Sequence, residues 1–195
     1  METWPHFSNQ KVTQYERIEQ GLFRKVLAAH SKTPIECIYL ELGVVPFRFN
    51  LITKRIMYYH EIMNRPDNEI TKKVVLYQRK SNIKGSFYDQ VSANMNELGI
   101  SEEEILKMSH STLKELVKKE VSKAAFTHLQ TMARDHSKTR DEIYHNMEGQ
   151  TYFHDPRFTD SDSKLLFKFR TRMYDVRNNF RNKYACPLCA AEAPY

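Results

Sequence analysis

Residues 33–64 have the sequence TPIECIYLELGVVPFRFNLITKRIMYYHEIMN, which predicts two consecutive helices. The first is expected to begin with Thr33 as N-cap, Pro34 at the first helical position and Glu36 in a capping box, because these residue types suit the free N–H groups of a helix start. Gly43 predicts its end, since glycine readily adopts the left-handed C-cap conformation. The second helix opens at Pro46 and carries apolar residues at helical spacing at positions 49, 52, 56, 59, 62 and 63.

Helical spacing continues on both sides of this stretch. Residues 11–29 are predicted to form an amphipathic helix. Its stripe at helical spacing comprises Val12, Tyr15, Ile18, Glu19, Leu22, Val26 and Leu27. With only 5 glycines and 7 prolines in 195 residues, the turns of an all-β fold are scarce. Further helices are expected at about 69–79 and 86–98, from the SEEE capping box at 101–104, from Thr112 to about Arg134, and at about 162–181.

The predicted fold class is therefore all-α. It is expected to be an irregular multi-helix bundle with a basic C-terminal helix and a truncated Cys-x-x-Cys tail.

The chain lacks the features of exported or membrane-spanning proteins. Its first residues, METWPHFSNQ, have no basic start followed by an apolar run, and no window approaches the roughly 18 apolar residues of a membrane span. Three cysteines, two of them in one Cys-x-x-Cys, are too few for a disulfide framework. We therefore expect a protein of the nucleus or cytoplasm that is not secreted and has no membrane partner.

The net charge of +6 is concentrated in two segments. Residues 48–80 contain 8 positive and 3 negative side chains, and residues 161–184 contain 7 and 2, so each segment has a surplus of five positive charges. Clustered cations are typical of proteins that bind polyanions, and also of ordinary solvated helices. Charge alone leaves both interpretations open.

The C-terminal basic segment combines a row of cations with an apolar stripe. Lys164, Lys168 and Arg172 repeat every four residues, with Arg170, Arg177 and Arg181 beside them. The pattern predicts a helix that packs on a core through its stripe and presents its cations outward, as phosphate binding requires. The alternative is that the cations only form a solvated helix face that binds nothing. The apolar stripe comprises Leu165, Leu166, Phe169, Met173, Val176 and Phe180.

The sequence contains no recognisable catalytic motif. It has no Asp-Asp pair for two-metal nucleotidyl transfer, and no P-loop, Gly-x-Ser-x-Gly or His-Glu-x-x-His. The 8 histidines are scattered, and those in YYHEIM and FTHLQ stand alone within predicted helices. We expect a protein that is not an enzyme.

Cys186 and Cys189 have the spacing of one half of a zinc site. Zinc needs four ligands, so His145, His154 or another chain would have to complete the shell. A redox Cys-x-x-Cys is a weaker alternative because no βαβ pattern surrounds it, and Cys37 is expected to be a small buried hydrophobic residue. The cofactor prediction is none, or Zn if the missing ligands come from outside the chain.

Three stretches carry a resemblance to a known family. Residues 2–4 form an E-T-W motif, residues 33–48 contain TP-x-E-x-x-YLELG-x-x-P-x-R, and residues 161–189 form a basic stretch that ends in CPLC. Together they resemble the region after the polymerase palm in LINE-type (non-LTR) retrotransposon reverse transcriptases. In that family a His and a last Cys follow CPLC and complete a zinc knuckle.

The resemblance implies a non-catalytic part of an RNA-directed DNA polymerase. It implies a thumb-like helical region at 1–80, a helical linker region at 81–160, and a basic helix with an incomplete zinc-knuckle half at 161–195. The implied partners are RNA and DNA, bound through the backbone without sequence specificity, with the polymerase palm as a further candidate. The alternative is a helical protein-interaction module, or an inert gene relic that binds no nucleic acid. The expected nucleic-acid-binding residues are Arg48, Lys54, Arg55, Lys164, Lys168, Arg170, Arg172, Arg177 and Arg181.

Overall fold

The computed structural model describes residues 9–134 and 147–171. These ranges contain α-helices and no β-strand, which confirms the predicted all-α class. No helix in them is both long and apolar enough to cross a membrane. The helices are α1 (Asn9–Val26), α2 (Ile35–Leu42), α3 (Phe47–Met63), α4 (Ile70–Ser81), α5 (Phe87–Leu98), α6 (Glu102–Lys107), α7 (His110–Arg134) and α8 (Asp160–Arg170), with a 3₁₀ turn at Thr151–Phe153.

The chain divides into two compact units. Among the described residues, unit 1 comprises 9–17 and 45–127, and unit 2 comprises 18–44, 128–134 and 147–171. The divisions expected at residues 80 and 160 do not coincide with these units. The helix α3, from the expected region 1–80, packs against α5 and α6, from the expected region 81–160.

Unit 1 is built around α3, whose buried residues recur at helical spacing. Phe49, Ile52, Ile56 and Tyr59 share one face, as the apolar spacing in the sequence predicts. Burying a side chain of this size stabilises the fold by about 1.5–3 kcal/mol. The same core cluster includes Val75 of α4, Val91 and Met95 of α5, Ile105 of α6, and Leu113, Val117 and Val121 of α7.

A polar cluster lies at the start of α6 in unit 1. The Glu102 carboxylate accepts hydrogen bonds from the hydroxyls of Tyr59 and Tyr88, and its Oε1 lies 3.1 Å from Nη1 of Arg79. Burial first, and the neighbouring Glu102 carboxylate second, raise the pKa of both tyrosines, because each opposes a negative charge on the phenol. The cluster therefore ties α3, α4 and α5 to the first turn of α6.

Two helix starts in unit 1 bear on the predicted caps. The Ser101–Glu104 capping box is confirmed, with the Ser101 hydroxyl accepting from the Glu104 N–H at 3.2 Å and Glu104 Oε2 accepting from the Ser101 N–H at 3.1 Å. The helix predicted from Thr112 to about Arg134 is confirmed as α7, and only its start is wrong. It begins at His110, and the Ser109 hydroxyl accepts from the Thr112 N–H, so Thr112 lies inside the first turn.

In unit 2, α2 ends as predicted but starts differently. Pro34 occupies the N-cap position with ψ 133°, and no side chain caps the helix, so the predicted Thr33 cap and its capping box with Glu36 are wrong. Because Pro34 is not yet helical, Thr33 lies one position too early to cap, and its hydroxyl is buried without a hydrogen-bond partner among the described residues. Gly43 is the C-cap, with φ 64° and ψ 25°.

The core of unit 2 joins residues that are distant in the sequence. Leu27, Ile38, Tyr152 and Phe167 form one buried cluster. The Gln150 N–H donates to the Glu41 carbonyl over 2.9 Å, which places the 3₁₀ turn beside the end of α2.

A pair of glycines makes this approach possible. A Cβ atom on Gly43 would lie 2.0 Å from the backbone nitrogen of Gly149, and a Cβ on Gly149 would lie 2.6 Å from the carbonyl oxygen of Leu42. No side chain fits at either position unless the backbone moves, so the two segments can meet only as glycines.

The predicted stripe of α1 is only partly confirmed in unit 2. Ile18, Leu22 and Val26 are all exposed, Ile18 to 63%, whereas Leu27, directly after the helix, is buried. The inward face carries Glu19 of the predicted stripe, whose carboxylate accepts from the Tyr39 hydroxyl at 2.7 Å, and Phe23, whose ring packs edge-on against Tyr39. The predicted helix is confirmed, and the inward position predicted for Ile18, Leu22 and Val26 is wrong.

In α8 the predicted apolar stripe also differs from the observed one. Leu166 packs against the unit 2 core as predicted, and Phe167, which the stripe did not include, is fully buried in that core. Leu165 is exposed and Phe169 is 55% exposed. A capping box of Thr159 and Asp162 starts the helix. Residues 172–181 of the predicted helix, including Met173, Val176 and Phe180, lie outside the described residues.

Candidate nucleic-acid interface

The predicted cations of α3 belong to unit 1 and differ in their surroundings. Lys54 is exposed and forms no ion pair within the described ranges. Arg55 is half-buried, and burial lowers the pKa of its guanidinium, which still stays charged at neutral pH. The Arg48 guanidinium lies 4.7 Å from the Phe49 ring centroid, and its Nη2 is 3.9 Å from Glu97 Oε1. Lys54 is therefore the member of this set most open to a phosphate.

The predicted cations of α8 belong to unit 2 and are largely engaged. Lys164 forms an ion pair with Asp160, one turn earlier in the same helix. Arg170 donates from Nε to Glu41 of α2 over 2.7 Å. Lys168 is half-buried and makes no ion pair in the part of the chain that the structure describes. Of the three, Lys168 is the one that retains an unmatched charge.

Glu41 is the centre of the network that holds Arg170. Its carboxylate is fully buried and also accepts from the Tyr152 hydroxyl at 2.6 Å. Burial, followed by the hydrogen bond and charge of Glu41, raises the pKa of Tyr152. A buried carboxylate needs such partners, because an uncompensated charge in the interior is strongly destabilising. Arg170 thus has a structural role that its sequence position did not indicate.

Several predicted site residues lie outside the described residues. The group consists of Arg172, Arg177 and Arg181 among the cations, and His145, Cys186 and Cys189 among the metal-ligand candidates. Cys37 is buried, as predicted for a small hydrophobic residue, and His154 is exposed. Among the described residues, no three His, Cys, Asp or Glu side chains come together as a metal site.

The structure adds a set of cations that the sequence analysis did not select. Residues 70–84 contain five cations and no Asp or Glu. Lys72 and Arg79 bind carboxylates of unit 1, with Lys72 Nζ 2.7 Å from Asp67 Oδ1 and Arg79 on Glu102. The other three, Lys73, Lys80 and Lys84, are exposed and form no ion pair within the described ranges.

A signal for these lysines was present in the sequence. They fall in or directly after the basic segment 48–80, and no acidic residue interrupts positions 70–84. What the sequence could not show is the orientation of α4, which is fixed because Val75 is its buried residue. Lys73 and Lys80 lie on the opposite side of the helix from Val75 and therefore face solvent.

Unit 1 also contains a cleft of about 560 Å³ between the end of α3 and the start of α7. The His60 Nε2 atom lies 3.1 Å from the Met108 carbonyl oxygen, Arg65 is held by Glu61, and the Ser109 hydroxyl caps α7. Of these contacts, the one made by His60 joins α3 to the segment before α7, whereas the other two are local to one helix. The lone histidine of YYHEIM therefore makes a structural contact through Nε2, while its Nδ1 is buried without a hydrogen-bond partner among the described residues.

The comparisons with known proteins are negative: no family model matches the chain, and no curated protein or solved structure is significantly similar to it. The resemblance to LINE-type reverse transcriptases remains a hypothesis that rests on the quoted motifs.

Proposed function

We propose that this chain is a non-catalytic helical module that binds the phosphate backbone of RNA or DNA, and that it corresponds to the region after the palm of a LINE-type reverse transcriptase. The observation that supports backbone binding is the charge of residues 70–84, where three of five cations are exposed and unmatched among the described residues. Lys54 of α3 and Lys168 of α8 add two more such cations.

Phosphate neutralisation releases condensed counterions from the nucleic acid, so affinity falls as salt rises. Lysine is suited to this role because its ammonium is a flexible point charge that does not read base identity. The proposed binding is therefore salt-dependent and indifferent to sequence.

The test is a titration of the 195-residue chain with mixed-sequence RNA and DNA over a range of salt concentrations. We expect binding at about 50 mM salt that weakens linearly on a logarithmic plot. The variant K73S/K80S/K84S should bind more weakly and lower the salt slope by roughly two to three units, since each phosphate contact contributes about 0.9 on duplex DNA.

The matched control removes three cations that are ion-paired in the structure and outside the expected binding set, as K107S/K123S/R157S. It changes the net charge by the same amount, and its effect should be clearly smaller. Absence of salt-dependent binding by the unmodified chain would contradict backbone binding. Equal weakening by both triple variants would contradict the assignment to residues 70–84.

The correspondence to a LINE element has an independent test in the genomic DNA that flanks the coding sequence. An upstream reading frame with Tyr-x-Asp-Asp, and downstream codons for a His and a Cys in knuckle spacing, are the expected findings. Stop codons on both sides would favour a gene relic.

A helical protein-interaction module is the second candidate, because Ile18, Leu22 and Val26 form an exposed apolar row on α1. The polymerase palm is the partner that the resemblance implies for such a row. Co-expression with a LINE-type palm should yield a complex that I18S/L22S weakens and K73S/K80S/K84S leaves intact.

A further inference from the structure

One face of α4 combines exposed apolar side chains with unmatched lysines. Ile70 is 78% exposed, Tyr77 is 64% exposed, and Val74 is also exposed. Together with Lys73 and Lys80 they lie on the side of α4 opposite the buried Val75. We call this set of residues, Ile70, Lys73, Val74, Tyr77 and Lys80, the α4 platform.

The platform is held rigidly from its inner side. Lys72 Nζ donates to the Arg65 carbonyl over 2.9 Å, Arg79 pairs with Glu102, and the Gln78 side chain accepts from the Tyr88 N–H at 3.2 Å. Val75 is buried in the unit 1 core. Because the inner side chains fix the helix, a ligand that binds the outer face does not have to order it.

The composition of the platform distinguishes between possible partners. A large exposed tyrosine ring and aliphatic neighbours alone would suit a protein surface as well. The charge argues otherwise, since residues 70–84 carry five cations and no acid, and Lys73 and Lys80 stand on either side of Tyr77 in the sequence. A nucleic acid supplies both complementary features, an anionic backbone and flat apolar base faces.

The exposed ring also distinguishes between single and double strands. In a duplex the base faces are covered by neighbouring base pairs, so a ring on a helix surface cannot stack on them. In a single strand they are accessible, and stacking on aromatic side chains is indifferent to base identity. Lys73 and Lys80 are separated by about 10 Å along the helix axis, so flexible lysine side chains can reach phosphates on both sides of one stacked base.

We propose that the α4 platform binds single-stranded RNA or DNA, with a base stacked on Tyr77 and the flanking phosphates neutralised by Lys73 and Lys80. This inference rests on the proposed function and narrows its ligand class.

The test compares labelled oligo(U), oligo(dT) and a duplex of the same length by fluorescence anisotropy with the full chain. We expect both single strands to bind roughly tenfold or more tightly than the duplex, and the ratio between the two single strands shows whether the sugar matters. Tyr77→Ala should weaken single-strand binding by roughly tenfold and leave duplex binding unchanged. Tyr77→Phe should bind like the unmodified chain, because it keeps the ring.

Phe158 provides the matched control, since its aromatic side chain is exposed in unit 2 and Phe158→Ala should change neither affinity. A spectroscopic readout reports stacking directly. Trp4 is the one tryptophan of the sequence, so in the double variant W4F/Y77W all tryptophan fluorescence comes from position 77. Oligo(dT) should quench this fluorescence. Heparin, a polyanion without bases, should leave this fluorescence unquenched.

The outcomes separate the two proposals. Equal affinity for single strands and duplex, with no effect of Tyr77→Ala, would overturn the stacking site while the lysine-dependent backbone binding stands. Quenching by heparin as strong as quenching by oligo(dT) would equally overturn it. If the chain showed no salt-dependent binding to oligo(U), to oligo(dT) or to the duplex, the proposed function would be contradicted, and the stacking site with it.

Discussion

The Nε atom of Arg170 lies 2.7 Å from Oε1 of Glu41, a carboxylate that is fully buried at the end of α2. This contact joins residues that are 129 positions apart and connects α8 to α2 within unit 2. A cation selected from the sequence as a phosphate ligand is therefore also a structural partner of a buried charge.

The variant Arg170→Met should lower the free energy of unfolding by about 3 kcal/mol, because it leaves the Glu41 charge buried without its cation. Urea denaturation followed by circular dichroism measures the change. The control Arg157→Met removes an exposed pair with Asp155, which should cost less than about 1 kcal/mol. The double variant R170M/E41Q should recover part of the loss, and equal effects of the two single variants would contradict the structural role.

The Gly43–Gly149 approach predicts different costs for two alanine substitutions at helix ends. Gly43 and Gly99 both adopt the left-handed conformation, with φ 64° and 66°. Gly99→Ala has open space around it and should lose only the backbone preference, about 1–2 kcal/mol. Gly43→Ala should lose clearly more, because its Cβ would collide with the backbone of Gly149. Similar midpoints in thermal unfolding would contradict the close approach.

Tyr59 gives the folded state a dependence on alkaline pH. Its pKa is raised above the ordinary value of 10.0, so above pH 10 the unfolded chain releases a proton that the folded chain retains. Stability from this group is full below pH 10 and is lost as pH rises further, by about 1.4 kcal/mol per pH unit.

Tyr59→Phe should therefore unfold with a shallower loss of stability above pH 10. At pH 8 it should be less stable by about 1 kcal/mol, since Glu102 loses one hydrogen bond. The free energy of unfolding of the unmodified chain and of Tyr59→Phe at several pH values between 8 and 11 measures both effects, and identical slopes for the two proteins would contradict the prediction.

The two aromatic residues of α8 should respond in opposite ways to truncation. Phe167→Ala removes a fully buried ring and should lower the free energy of unfolding by about 3–5 kcal/mol. Phe169→Ala alters an exposed ring and should change it by less than about 1 kcal/mol. The urea midpoints of the two variants decide between the observed core face and the stripe expected from the sequence.

Helix positions were predictable from local chemistry, and helix orientations were not. Ser101 and Glu104 cap α6 through bonds between residues three apart, which a short stretch of sequence fully specifies. Thr33 does not cap α2, because the next residue, Pro34, occupies the N-cap position. Both residue types are favoured near helix starts, so the local pattern did not decide between the two positions. Local rules thus locate a helix to within a few residues.

Orientation depends on partners that the local pattern does not contain. Ile18 and Phe23 both suit the buried face of α1, and the contact of Phe23 with Tyr39 of α2 decides between them. The same holds for the candidate site. In the sequence, Arg170 and Lys73 are both cations within a basic segment, and nothing local distinguishes their roles. Only the contact with the Glu41 carboxylate of α2 distinguishes the half-buried Arg170 from the exposed Lys73.

The core of unit 2 combines residues of the segments 18–44 and 147–171, which are more than a hundred positions apart in the sequence. Most of unit 1 is the continuous segment 45–127. On the ribosome, α2 is therefore made well before Tyr152 and Phe167, the residues that enclose Ile38. Unit 1 can complete its folding during translation, while α2 must keep its apolar surface without its final partners until α8 has emerged. Synthesis that stalls in this interval would leave an aggregation-prone nascent chain, so chaperone dependence should arise from α2 together with its partners in residues 147–171.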